Sequence, residues 1–211
     1  MNTKILVDFK LYLITDRRLF TDDNSLFAAV EEALKGGVKA VQLREKDLET
    51  RSLLRMAYTL RELTSGYGAK LFINDRVDVA LAVDADGVHL GGESMPAYAA
   101  RKAAGAAILI GVSAHSIEEA KKAEAEGADF ITFGPIFETP SKMKYGHPLG
   151  PGLLGEAREK ISIPFFAIGG IKKERVGSVL AYGATGIALI SAILGSEDIR
   201  SNTEEFMRLL K

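Results

Sequence analysis

The sequence predicts an α/β protein folded as a (β/α)8 barrel, a TIM barrel, with residues 1–211 forming one domain. Three observations point there. Eight short β-rich runs alternate with longer helical patterns along the whole length. The runs are nearly continuously apolar, as parallel strands covered on both faces should be. Glycine and proline clusters fall at the joins, and no linker, low-complexity block or charge run divides the chain. Eight βα units in 211 residues make a lean barrel, with a doubly wound open sheet as the alternative.

The expected strands cover residues 11–15, 39–44, 70–73, 87–90, 108–112, 130–134, 164–169 and 186–191. Between the first two, residues 24–34 place Leu26, Val30 and Leu34 on one helical face and stop at Gly36 and Gly37, a C-terminal glycine signal. Residues 50–64 repeat Leu53, Leu54, Ala57, Leu60 and Leu63 at helical spacing. A helix over 116–126 opens with Ser116 as its cap and Glu119 three residues on, the spacing of a capping box. A further helical pattern begins near Leu153, another runs over 172–182 to Gly183, and 203–210 closes the chain. The phrases around Gly36–Val41, Gly127–Ile131 and Gly183–Ile187 echo one another, each a helix end, a glycine and the next strand.

Composition narrows the function. The net charge of −1 gives no global field for nucleic acid or membrane, so an anionic ligand must be held by local cations and backbone N–H groups. The absence of cysteine excludes disulfides, thiolate metal sites and a cysteine nucleophile. The first residues are apolar but broken by Asp8 and Lys10, which is not a signal-peptide pattern, and no apolar run reaches the ~18 residues of a membrane span. The expected location is cytoplasmic.

In a barrel, catalytic groups collect at the C-terminal ends of the strands, where the loops converge. The second strand runs into Gln42, Arg44 and Lys46 at alternate positions, a donor and two cations suited to a pyrophosphate; the competing reading is a surface ion-pair strip with Glu45 and Asp47. The third ends in Asn74 and Asp75, an amide and an acid that suit Mg²⁺ or else cap the helix starting at Arg76. After the fourth come Glu93 and Ser94, with Glu93 a candidate outer carboxylate; His89, inside the strand, reads as a packed histidine. The fifth ends at Ser113 and His115, with no acid spaced for a hydrolase triad. Gly169, Gly170, Ile190 and Ser191 follow the seventh and eighth strands, where this fold cradles phosphate.

The stretch from Gly134 to Gly150 is the long connection. Strand–helix joins take about 2–6 residues; this one is several times longer and carries Thr139, Ser141, Lys142, Lys144, Tyr145 and His147. Hydroxyls beside Lys142 suit a phosphate clamp, the bland reading being a solvated loop. Two anion-binding regions at one mouth suit a diphosphate and a monophosphate.

Taken in order, Tyr12–Asp16, Gln42–Lys46, Asn74–Asp78, Gly134–Phe137, Thr139 with Ser141 and Lys142, Ala167–Ile171 and Ile190–Ala192 resemble thiamine phosphate synthase and its relative thiazole tautomerase over essentially the full length, more closely the synthase. The resemblance implies a transferase of thiamine biosynthesis that condenses hydroxymethylpyrimidine diphosphate with hydroxyethylthiazole phosphate. Its mechanism is dissociative: the bond to diphosphate breaks first and the thiazole nitrogen captures the pyrimidine methyl cation. It implies that Gln42, Arg44, Lys46 and Asn74 hold the pyrimidine diphosphate, that Asp75 binds Mg²⁺, and that Ser113 contacts the pyrimidine. It further implies that Thr139, Ser141 and Lys142 line the diphosphate and thiazole side and that Gly170, Ile190 and Ser191 bind the thiazole phosphate. Arg44, Lys46 and Lys142 stabilise the departing charge, and His115 matches the position implicated in proton transfer in the tautomerase. The chain departs from the synthase pattern with Ser94 in place of a second metal-binding acid, with Gly92 for a common glutamine, and in residues 143–148. Thiazole tautomerase and a non-catalytic thiamine-precursor-binding regulator are the alternatives. The partners implied are small phosphorylated substrates, with no nucleic acid or membrane and with self-association left open.

Overall fold

The computed structural model describes residues 7–139 and 148–211. Eight parallel strands close on themselves in chain order: β1 (Leu11–Ile14), β2 (Ala40–Leu43), β3 (Lys70–Asn74), β4 (Gly87–Leu90), β5 (Leu109–Ala114), β6 (Phe130–Phe133), β7 (Phe165–Ile168) and β8 (Gly186–Leu189). Closure is made by β1 against β8, with Leu11 opposite Ile187 and Leu13 opposite Leu189, so the open sheet is excluded. Because all strands run the same way, their C-terminal ends form a single rim.

The helices are α1 (Asp23–Lys35), α2 (Thr50–Gly66), α3 (Val77–Ala82), α4 (Ala97–Ala104), α5 (Ile117–Ala125), α6 (Gly152–Lys160), α7 (Lys173–Ala181), α8 (Ser191–Leu194) and α9 (Ile199–Leu209), with a short 3₁₀ turn at Arg17–Leu19. α4 was not expected, since its alanine-rich sequence has little apolar periodicity and buries only Ala97 and Ala100. α9 starts earlier than its apolar pattern, because Asp198 caps it by accepting from Ser201 N at 2.9 Å. The box at α5 closes one residue early: Ser116 Oγ accepts from Glu119 N at 3.1 Å, but the Glu119 carboxylate accepts from His115 N at 2.7 Å. No helix among the described residues is long and apolar enough to cross a membrane.

Two apolar layers hold the barrel. Between strands and helices lie Leu13, Val41, Leu71, Ile110, Ile131 and Ile187 with the inner faces of the helices. Inside the barrel Phe9, Tyr12, Phe72, Phe130 and Phe166 pack, with Tyr12 edge-on to Phe72 at 5.2 Å and to Phe130 at 5.4 Å between centroids. Such pairs contribute about 0.5–1.5 kcal/mol beyond burial. Gly111 is small by necessity: a Cβ there would stand 2.4 Å from the Phe130 ring and 2.6 Å from His89 Nδ1.

Polar residues just before strands tie strand starts together at the opposite end, two of them, Asp129 and Thr185, within the echoed glycine phrases. Asp86 Oδ2 accepts from Leu71 N at 2.8 Å, and Asp129 Oδ2 accepts from Ile110 N at 2.8 Å. Thr185 Oγ1 does the same for Phe165 N at 3.3 Å. In the two acid cases an arginine, Arg61 or Arg101, pairs with the same carboxylate. This end is built for stability.

Candidate active site

The rim of C-terminal strand ends gathers the polar residues expected there. Gln42, Arg44 and Lys46 follow or end β2, Asn74 and Asp75 end β3, and Glu93 and Ser94 follow β4. Ser113 lies in β5 with His115 just beyond it, while Gly169 and Gly170 follow β7 and Ile190 and Ser191 follow β8. Ser141 and Lys142 lie outside the described residues.

Beyond β2 the ion-pair strip does not form. Glu45 is buried, accepting from Thr15 Oγ1 at 2.6 Å and from Arg17 N at 3.1 Å, and Arg17 pairs with Asp47 at 2.5 Å. Burial pushes the Glu45 carboxyl up, the hydrogen bonds from Thr15 and Arg17 opposing it. Thr15 Oγ1 also accepts from Arg44 N at 3.0 Å, so this buried knot fixes the backbone that carries Arg44. The acids beside Arg44 and Lys46 are thus taken by other residues. Among the described residues the Arg44 guanidinium makes no ion pair or hydrogen bond.

Asp75 is the centre of the next corner. Its backbone sits at φ 62°, a left-handed conformation that non-glycine residues rarely adopt and that clusters at functional sites. Neither it nor Asn74 caps α3, whose N-cap position is Arg76 and which has no side-chain cap. Instead Asn74 Nδ2 donates to Asp75 Oδ2 at 2.6 Å and Ser94 Oγ donates to Asp75 Oδ1. Gly91 N is 2.6 Å from Ser94 Oγ, and Lys46 Nζ is 3.9 Å from Asp75 Oδ2. A cleft of roughly 220 Å³ opens here, lined by Lys46, Asn74, Asp75, Arg76, Leu43 and Leu48 among others. One carboxylate, an amide oxygen and a hydroxyl are hard oxygen donors of the kind Mg²⁺ takes. No group of three or more acids or histidines forms a metal site among the described residues, and Glu93 is exposed.

Across the rim, the start of the long loop is stitched to the loop after β7. Ile136 N donates to Ile168 O at 2.9 Å and Phe137 N to Gly169 O at 3.1 Å, extending the β6–β7 pairing past both strands. Gly170 has φ 63°, and a Cβ there would lie 2.6 Å from Glu138 O and 2.8 Å from Phe137 Cβ. Arg175 fastens the join, donating to Gly170 O at 2.7 Å with its guanidinium 4.4 Å from the Phe137 ring centroid. His115 Nδ1 engages Gly134 O at 2.5 Å, tying the end of β5 to the same loop. Thr139, half-buried, follows on this anchored stretch.

Inside the mouth, Gln42, Tyr12, His89, Ser113 and Thr132 form a buried polar line. Desolvation lowers the His89 pKa to about 3, Arg44 adding to the shift and Asp75 opposing it, so the ring is neutral. His89 is the packed, hydrogen-bonded histidine its place in the strand predicted. Tyr12, Thr132, Arg175 and the Thr15–Glu45 knot escaped sequence reasoning. Only the inward alternation along each strand could have pointed to Tyr12 and Thr132.

A parallel barrel with a cationic and acidic corner on the same rim as a glycine cradle defines an enzyme class acting on small phosphorylated molecules. The chain belongs to the thiamine monophosphate synthase family, whose profile matches residues 11–193. Thiamine-phosphate synthase of Halalkalibacterium halodurans is 48% identical over 204 residues, 97% of this chain and 96% of that protein. The thiamine-phosphate synthase of Clostridium novyi is 49% identical over 194 residues, 92% of this chain and 95% of that protein. A solved thiamine phosphate pyrophosphorylase from Pyrococcus furiosus superposes with a TM-score of 0.86 at 46% identity, covering 96% of this chain and 95% of that one.

Proposed function

We propose that this chain condenses hydroxymethylpyrimidine diphosphate with hydroxyethylthiazole phosphate, giving thiamine phosphate and pyrophosphate. The observation that carries the reading is the shared rim: the Arg44–Lys46–Asp75 corner and the Gly169–Gly170 cradle belong to one mouth. The names of the relatives agree with it.

Gln42 and Ser113 seat the pyrimidine ring, while Arg44, Lys46 and Asn74 hold its diphosphate. Asp75 is the carboxylate that would hold Mg²⁺, with the Ser94 hydroxyl beside it and Glu93 a candidate outer carboxylate. When bound, the metal offsets charge on the departing pyrophosphate. The chain's own cations do the same. Arg44 and Lys46, joined by Lys142, stabilise negative charge as the C–O bond breaks, and no side-chain nucleophile is needed. The methyl cation left on the pyrimidine is captured by the thiazole nitrogen. Gly169, Gly170, Ile190 and Ser191 hold the thiazole phosphate, with Thr139 and Ser141 along its flank, so the nitrogen is already placed. His115 ties the end of β5 to the stretch leading to Thr139 through Gly134 O.

The test is to supply both substrates with Mg²⁺ and follow pyrophosphate and thiamine phosphate together. Equimolar formation is the expected result. No pyrophosphate, with conversion of the thiazole carboxylate tautomer instead, would assign the chain to the tautomerases. Binding without turnover of either would make it a binding protein.

A further inference from the structure

A line of polar groups crosses the barrel just beneath the mouth, and three of its members, Tyr12, His89 and Thr132, have no task in the reaction described above. Gln42 Nε2 donates to Tyr12 Oη at 3.0 Å. Tyr12 Oη is 3.5 Å from His89 Nδ1, and His89 Nε2 is 3.0 Å from Ser113 Oγ. Thr132 Oγ1 stands 3.3 Å from both His89 Nε2 and Ser113 Oγ. Tyr12 is fully buried and His89 is 2% exposed, so water does not compete for these bonds.

A phenol and a neutral imidazole each have one proton to give, so the direction set at one end is transmitted to the other. With Gln42 donating to Tyr12, the Tyr12 proton goes to His89 Nδ1. His89 then carries its proton on Nε2 and donates to Ser113 Oγ. Ser113, accepting from His89 and Thr132, keeps its own proton for the mouth. At the far end Gln42 Oε1 has no hydrogen-bond partner among the described residues. A flat ring above this line meets an acceptor on the β2 side and a donor on the β5 side. Turning the Gln42 amide over would bring two donors or two acceptors together unless every proton in the line moved as well, and buried mismatches of that kind are costly.

We propose that Tyr12 and His89 are positioning residues that fix Gln42 as an acceptor and Ser113 as a donor, so that the site selects a ring with an exocyclic amine opposite a ring nitrogen lone pair and rejects its oxo counterpart. This rests on the synthase reading for the identity of the ring. It extends that reading to residues that never touch substrate.

The experiment compares kcat/KM for aminopyrimidine methyl diphosphate and its 4-oxo analogue in the wild-type chain and in Tyr12→Phe, which keeps the ring and removes the hydroxyl. The wild type is expected to prefer the amino compound by roughly 10³-fold or more, and the variant to lose at least about tenfold of that preference. The KM for thiazole phosphate stays unchanged. An unchanged preference overturns the proposal, since packing damage alone lowers activity on both compounds together. Nitrogen NMR of the wild-type chain gives a second reading that needs no substitution. His89 protonated on Nε2 alone supports the relay, and Nδ1-protonated or doubly protonated His89 overturns it. If the wild type releases no pyrophosphate from either compound, the synthase reading fails. Calorimetric binding of the two pyrimidines and the His89 tautomer still decide the relay.

Discussion

Lys46 Nζ lies 3.9 Å from the carboxylate of Asp75, whose other oxygen receives the Ser94 hydroxyl. Two acids, Asp75 and Glu45, and two cations, Lys46 and Arg76, line the cleft here and leave it close to neutral, a poor resting place for a free dication. On the function proposed above, a diphosphate arriving with the metal would supply the missing negative charge. The affinity of an oxygen-ligand site grows with the number of charged ligands. Ser94→Asp is therefore expected to tighten Mg²⁺ binding on the order of tenfold, read by calorimetric titration with and without pyrophosphate. An unchanged titration would place position 94 outside the metal's surroundings.

Arg44 is expected to matter to the reaction and little to the fold. Its guanidinium pairs with no described residue, while the neighbouring acids are occupied by Thr15 and Arg17. Arg44→Ala should lower kcat by about 10²–10³-fold, the loss of roughly 2–4 kcal/mol of charge stabilisation, with an unchanged Tm. Wild-type turnover in that variant would remove Arg44 from the mechanism.

The glycine cradle makes a separable prediction. A Cβ on Gly170 meets backbone and side-chain atoms of Phe137 and Glu138 that are themselves pinned to β7. Gly170→Ala should therefore displace the cradle and raise the KM for thiazole phosphate by about tenfold or more, through strain on the order of 1–3 kcal/mol. The KM for the pyrimidine diphosphate should change little. Equal effects on both substrates would mean the cradle does not serve one of them selectively.

His89 should make the fold sensitive to acid. Burial lowers its pKa from 6.5 to about 3, so between those values the unfolded chain binds a proton that the folded chain refuses. Stability contributed by the neutral ring is full above the unfolded value and is lost as pH falls. At pH 5 the loss is about 2 kcal/mol, seen as a lower denaturant midpoint than at pH 7. In His89→Asn this part of the pH dependence should vanish, leaving a flatter profile. A wild-type profile that is already flat would show that His89 titrates normally.

Much of the fold was legible because its signal is local. The apolar runs at 11–15 and 186–191 mark strands whatever their partners, and their eightfold repetition pointed to a barrel that the β1–β8 pairing closes. Strand-end chemistry was legible for the same reason: Gln42, Asp75, Ser113 and Gly170 owe their places on the rim to strand position alone. What the sequence hid depends on contacts across the barrel. Glu45 looked like one side of a surface strip because its partners, Thr15 and Arg17, come from the preceding strand end. Tyr12 stood in a motif of the resemblance without a role of its own, since its hydroxyl gains meaning only when Gln42 and His89 meet it from β2 and β4. The clamp of Arg175 on Phe137 and Gly170 joins a helix to two loops and leaves no pattern along the chain.

The central claim is that one mouth grips two phosphorylated molecules at separate places. A crystal structure of the chain soaked with pyrophosphate, Mg²⁺ and hydroxyethylthiazole phosphate tests it most directly. The account predicts pyrophosphate against Arg44, Lys46 and the Asp75 corner, with the thiazole phosphate seated on Gly169, Gly170 and Ser191. Both anions competing for a single patch, or either one bound away from the C-terminal rim, would contradict it.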